Sequence, residues 1–213
     1  MHTDDLAEML GRNAEAETVG RPARWWALAV AGGVAATAGL MLITLGLQPR
    51  LATMIETPAW LGKAGFGLAM ALAGLAAATR LARPGAARPW LIALALAPLA
   101  LLWLAAAIQL LGAPAELRAE LVMGRTWREC PWRVASLSVP ALVGALLVLR
   151  RMAPTRPRLA GAAAGLFAGG VGAAVYAFHC PELAPAFVAV WYVAGVLTPT
   201  TFGALIGPRV LRW

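Results

Sequence analysis

Apolar runs about twenty residues long alternate with short, arginine-bearing polar breaks along almost the whole chain. A bilayer core needs ~20 consecutive apolar residues per crossing helix. Six segments meet that length: 26–47, 60–78, 90–111, 132–149, 159–178 and 186–206. The pattern predicts an all-α integral membrane protein, a six-transmembrane-helix bundle over residues 25–213. A polar tail, residues 1–24, precedes it. That tail lacks the pattern of a signal peptide, so the first span is expected to act as an uncleaved anchor. No segment is long enough to form a second globular domain.

Composition agrees, with 61% hydrophobic and 13% charged residues. The net charge of +8 invites a nucleic-acid reading, but its placement argues for a topology signal. Arg12, Arg21, Arg24, Arg80, Arg83, Arg88, Arg150, Arg151, Arg156, Arg158, Arg209 and Arg212 fall on one side of the predicted spans, twelve in all. The other side holds six: Arg50, Lys63, Arg118, Arg125, Arg128 and Arg133. The positive-inside rule then puts both termini in the cytoplasm. The expected contacts of the basic side are anionic lipid heads rather than nucleic acid. Three loops face outward, 48–59, 112–131 and 179–185. The middle one is expected to carry a short surface helix over 114–123.

Within the spans, Gly161, Gly165 and Gly169 recur every fourth residue, with Ala173 next. Such a ridge lets a neighbouring helix approach closely. Pro98, Pro140 and Pro199 lie away from helix ends and predict kinks. Gln109 reads as the one strongly polar side chain well inside a span, which leaves no polar pathway for a transported ion or solute.

Cys130 and Cys180 are the two cysteines of the chain, each followed by proline, the second preceded by His179. The fourth and fifth spans are joined by a short inward loop near Pro154 and should be antiparallel neighbours. Cys130 lies 24 residues before that proline and Cys180 lies 26 after it. At 1.5 Å per residue the mismatch in height is only ~3 Å, so both sulfurs are expected at the outer mouth of one hairpin. A disulfide there would stabilise by at most roughly 4 kcal/mol in the loop-entropy model. Three readings stay open: a structural disulfide in an oxidising compartment; a redox or metal-responsive switch; and a catalytic thiol pair. For the switch, Cys130, His179 and Cys180, with Glu129 or Glu182, would offer ligands to a thiophilic ion. Against catalysis, the chain has no Cys-x-x-Cys and no second dithiol to relay electrons.

The tail opens Thr3-Asp4-Asp5-Leu6. Thr3 is a candidate N-cap, and the two aspartates suit the positive end of a helix. Leu6, Met9 and Leu10 form an apolar stripe at i, i+3, i+4 spacing, with Asp4 and Glu8 on the other side. Two turns of helix are marginal alone. The segment is therefore expected to order against a partner with a basic groove.

Together these parts resemble the NrsF family of bacterial inner-membrane anti-sigma factors. The residues that carry the resemblance are Thr3-Asp4-Asp5-Leu6, the Arg83-Pro84-Gly85 turn, Ala153-Pro154-Thr155-Arg156-Pro157, His179-Cys180-Pro181-Glu182 and Val190-Trp191-Tyr192. The resemblance implies a regulator, not an enzyme, with no cofactor. Its implied partner is an extracytoplasmic-function sigma factor, held at the inner membrane and released on heavy-metal or oxidative stress. It also implies that Cys130 and Cys180 are the sensing pair and that Thr3, Asp4, Asp5 and Leu6 belong to the sigma-binding tail, which the stripe extends to Glu8, Met9 and Leu10. The rival readings are a membrane thiol-disulfide oxidoreductase and a transporter or scaffold with a structural disulfide.

Overall fold

The computed structural model describes residues 21–83 and 90–212. The tail residues Thr3 to Leu10, and Pro84 and Gly85 of the Arg-Pro-Gly sequence, lie outside them. Nine helices and no strands occur among the described residues: α1 (Arg21–Thr44), α2 (Leu51–Met54), α3 (Pro58–Leu81), α4 (Trp90–Gly112), α5 (Ala115–Met123), α6 (Cys130–Leu137), α7 (Val139–Arg151), α8 (Pro157–Tyr176) and α9 (Pro185–Val210). α1, α3, α4, α8 and α9 are each long and apolar enough to cross a bilayer, and α6 with α7 would make a sixth span, bent by 40°. The surface helix expected over 114–123 is α5.

α8 is the axis of the bundle. Its apolar window is 78% buried, against 11% for α4 at the periphery. α9 and α3 pack along two of its faces, and α6 and α7 along a third. α1 lies outside on α7, and α4 leans on α3 and the start of α9. The glycine ridge explains the closeness. A Cβ at Gly161 would lie 2.1 Å from the Gly203 carbonyl oxygen, and one at Gly165 would lie 2.1 Å from that of Pro199. On another face, Gly170 would meet the backbone nitrogen of Ala71 at 2.2 Å and Gly74 that of Phe167 at 2.2 Å. No side chain fits between these helices, so backbone packs directly on backbone.

The three prolines behave differently from one another. α4 and α9 run through Pro98 and Pro199 as single helices. Only the fourth span breaks, at Ser138, two residues before Pro140. Proline has no N–H to close on the Ser136 carbonyl. The neighbouring Leu137 carbonyl accepts a hydrogen bond from the buried Thr37 hydroxyl at 3.0 Å. α1 thus supplies polar support to the break. A feature the hydropathy pattern does not show is a π-helical turn over Val188–Tyr192 in α9.

The segments joining α1 to α3, α4 to α6 and α8 to α9 gather at one end of the bundle. The Gln48 N–H donates to the Phe178 carbonyl at 3.0 Å. The Trp60 Nε1–H donates to that of Ala177 at 3.0 Å, and the Trp191 Nε1–H to that of Val122 at 2.9 Å. Gln109 is inside α4 as expected, and its Oε1 accepts the Ala186 N–H at 3.0 Å.

Candidate functional site

Cys130 opens α6, with Pro131 in its first turn, and Cys180 follows the last turn of α8. The antiparallel packing of these helices sets the two thiols near each other, close enough to interact electrostatically. They lie at the mouth of that hairpin, as their register predicts, but they are not exposed there. Both are fully buried free thiols. Segment 178–185 is held in place by three ties, one to its backbone and two through its side chains.

The first tie is Lys63, in the second turn of α3 and only 2% exposed. Its Nζ–H groups donate to the carbonyl oxygens of Cys180 at 2.7 Å and Glu182 at 2.8 Å. Sequence reasoning counted Lys63 among the outward-facing charges and took Gln109 as the one strongly polar residue inside a span. The second point needs correcting, and Lys63 is a buried charge rather than an exposed one. Six residues into an apolar helix, Lys63 is buried by the loop that folds back over it. The signal was present, since an ionisable residue within a span marks a functional position by default.

The second tie is His179. Its Nδ1 lies 3.0 Å from the Gly46 carbonyl oxygen, and its Nε2 lies 3.1 Å from Arg133 Nη1. A carbonyl only accepts and a guanidinium only donates. These partners assign the Nδ1–H tautomer and occupy both ring nitrogens. Both ring nitrogens of His179 are thus engaged with Gly46 and Arg133 in this structure. Arg133 also pairs with Glu129, one helical turn away. Among the described residues, no three or more His, Cys, Asp or Glu side chains gather as a metal site.

The third tie is Glu182, whose Oε1 accepts the Arg125 N–H at 2.8 Å. Gly124 makes that contact feasible. Its φ of +55° is costly for any residue with a Cβ, and a Cβ would lie 2.7 Å from Phe187 and 2.8 Å from Glu182 Oε2.

The chamber is completed by Tyr176 and Tyr192, both fully buried, with ring centroids 5.8 Å apart. Lys63 Nζ lies 5.7 Å from the Tyr192 ring centre. Neither tyrosine hydroxyl has a well-formed hydrogen bond, although that of Tyr192 faces the Cys180 sulfur. The Cys180 thiol is held below the ordinary thiol range. The Cys130 thiol beside it contributes most, and the Lys63 ammonium and the Glu182 backbone add to the effect against the opposing pull of burial. The result is a dithiol with one cation and two phenols, sealed from water. Such a site can exchange two electrons by forming or breaking a disulfide.

The chain is 42% identical over 213 residues, all of both chains, to a protein of Azospira oryzae described as a probable anti-sigma-F factor NrsF. It is 40% identical over 218 aligned positions, again all of both chains, to the anti-sigma-F factor NrsF of Caulobacter vibrioides. No solved structure matches. The family model described as NrsF, negative regulator of sigma F, matches residues 10–213, and the chain belongs to that family.

Proposed function

We propose that this protein is an inner-membrane anti-sigma factor. It holds an extracytoplasmic-function sigma factor through its acidic tail and releases it when the state of the Cys130–Cys180 pair changes. The observation that carries the reading is full-length relatedness to two proteins named as anti-sigma-F factors. The sealed dithiol supplies a sensing element. All three segments that surround it lie on the side opposite the arginine-rich ends of the spans, and the positive-inside rule supports an outer-face sensor. Thr3, Asp4, Asp5, Leu6, Glu8, Met9 and Leu10 form the binding element, and the bilayer anchors the complex away from the promoter.

Oxidation is the favoured signal. A thiophilic ion would find only the two thiols as side-chain ligands here, because His179 is engaged and no larger ligand group gathers among the described residues.

The test replaces Cys130 and Cys180 with serine, singly and together. Sigma-dependent transcription is then measured with and without oxidant or metal stress, alongside co-purification of the sigma factor from membranes. Loss of the stress response with retention of the sigma factor is expected. A double variant that responds like the wild type would remove the pair from the sensing role. A sigma factor absent from the purified complex would remove the anti-sigma reading.

A further inference from the structure

A groove of about 440 Å³ runs between α3, α4 and the start of α9. Its wall includes Gly62, Gly65 and Phe66 of α3, Leu101 of α4, and Leu183 from the segment that carries Cys180. Its volume lies in the range of sites that hold small organic ligands. Lys63 is the one charged residue that lines it among the described residues. On the opposite side, Lys63 is bonded to the Cys180 backbone, and Cys180 Sγ lies within its electrostatic reach. One buried lysine therefore lines the apolar groove and also holds the segment that carries Cys180.

Two facts define what the groove suits. First, both thiols are fully buried, so reagents in water reach them only slowly, as the bundle opens, while the groove is lined by Lys63 and by Leu183 of the segment that carries Cys180. Lys63 is five residues from the start of α3, about 7 Å along its axis. Second, an ammonium has three N–H groups, and among the described residues its hydrogen bonds go to two carbonyls. One donor is left for a ligand that only accepts. The ligand should be apolar, accept a hydrogen bond at one end and take up two electrons from the pair.

We propose that this groove binds a membrane-dissolved quinone, which oxidises the Cys130–Cys180 pair. The inference rests on the pair being the sensor. One quinone carbonyl oxygen accepts the third Lys63 N–H, and the apolar walls hold the ring and the first part of its tail. In the net step the two S–H bonds break and one S–S bond forms. The two electrons and two protons convert the quinone to quinol, each carbonyl becoming a hydroxyl. The sensor then reports how oxidised the membrane quinone pool is.

Gly62 and Gly65 supply a clean test. A Cβ at either meets nothing within 4 Å, so a larger side chain fills the groove without touching the packed core. The reduced full-length protein in lipid nanodiscs is mixed with ubiquinone-1. Disulfide is read by maleimide mobility shift and quinol by absorbance. The expected result is one quinol per disulfide in the wild type. Gly65→Leu, and independently Gly62→Leu, should slow this reaction about tenfold while leaving oxidation by hydrogen peroxide unchanged, a tenfold change corresponding to about 1.4 kcal/mol. Absence of quinol in the wild type, or unchanged rates in both filled variants, overturns the proposal. If the quinone fails while cysteine variants still abolish the stress response, the thiol sensor stands and only the groove assignment falls.

Discussion

The Nζ of Lys63 lies 2.7 Å from the carbonyl oxygen of Cys180, with both residues buried and 117 positions apart in sequence. This bond joins the second turn of α3 to the segment that closes over the thiols. Lys63→Met keeps the length and apolar stem of the side chain but removes every donor. The Cys180 and Glu182 carbonyls would then lack this partner, at about 1–3 kcal/mol each if no water replaces it. The expected outcome is a thermal midpoint several degrees lower, with faster maleimide labelling of both cysteines in the intact bundle. Labelling as slow as in the wild type would show that the segment stays closed without the lysine.

The glycine seam sets a contrast within one protein. Gly165→Ala places a Cβ about on top of the Pro199 carbonyl oxygen, against backbone that cannot swing aside. Overpacking of this kind costs roughly 1–3 kcal/mol. Gly65→Ala, in the same bundle but facing open space, should be neutral or slightly stabilising through helix propensity. Thermal unfolding of the two variants in one detergent checks this. Equal losses would mean that the seam tolerates separation of α8 from α9.

Much of this frame is legible in the sequence. Apolar runs locate the spans to within a few residues, because a bilayer-length helix must be apolar over its whole length. The spacing of Cys130 and Cys180 about Pro154 brings the thiols together, because antiparallel helices joined by a short loop keep register. What is not legible is depth. Register places the sulfurs at the hairpin mouth, but only tertiary contacts show segment 178–185 folding down over them. Lys63 escaped for the same reason. Near a helix end it reads as a surface charge, and nothing local reveals the two carbonyls that arrive from over a hundred residues away. The engagement of His179 by Gly46 and Arg133 is equally non-local. The π-helical turn at Val188–Tyr192 has no signature in a pattern of period 3.6.

The environment of Cys180 predicts a pH profile. Its pKa is depressed, first by the Cys130 thiol and then by Lys63, so its thiolate persists to lower pH than that of a free cysteine. In linkage terms the stabilisation is present above the ordinary thiol value and is lost as pH falls through the depressed one. Iodoacetamide labelling of Cys180, slow because the site is closed, should reach its plateau at lower pH than labelling of the unfolded chain. Cys130→Ser weakens the largest contribution and should move the midpoint upward. A profile that coincides with that of the unfolded chain would contradict the arrangement.

The arginine asymmetry predicts cytoplasmic termini and an outer sensor. Alkaline phosphatase fused after Glu182 should be active, and a cytoplasm-dependent reporter fused after Trp213 should also be active. Silence of the first with activity of the second would place the dithiol on the inner side. The membrane anchor would survive that result, but the argument for an oxidising compartment would not.

The tail carries the last prediction. Five of the ten acidic residues, Asp4, Asp5, Glu8, Glu15 and Glu17, lie before the first span. The spacing of Leu6, Met9 and Leu10 predicts apolar contact along one stripe, and the acids are expected to attract a basic surface of the kind a DNA-binding protein presents. The two contributions separate experimentally. Leu6→Asp removes buried contact and should act mainly on dissociation, lowering sigma-factor affinity by about tenfold or more, as loss of a buried anchor does. Asp4→Lys with Asp5→Lys should act mainly on association and should lose its effect as salt rises. Neither change should alter the thermal midpoint of the bundle, because both lie ahead of α1. Deletion of residues 1–12 should release the partner altogether. If the truncated protein still retains the sigma factor fully, the binding surface lies on the arginine-rich inward segments, and the tail is only their leader.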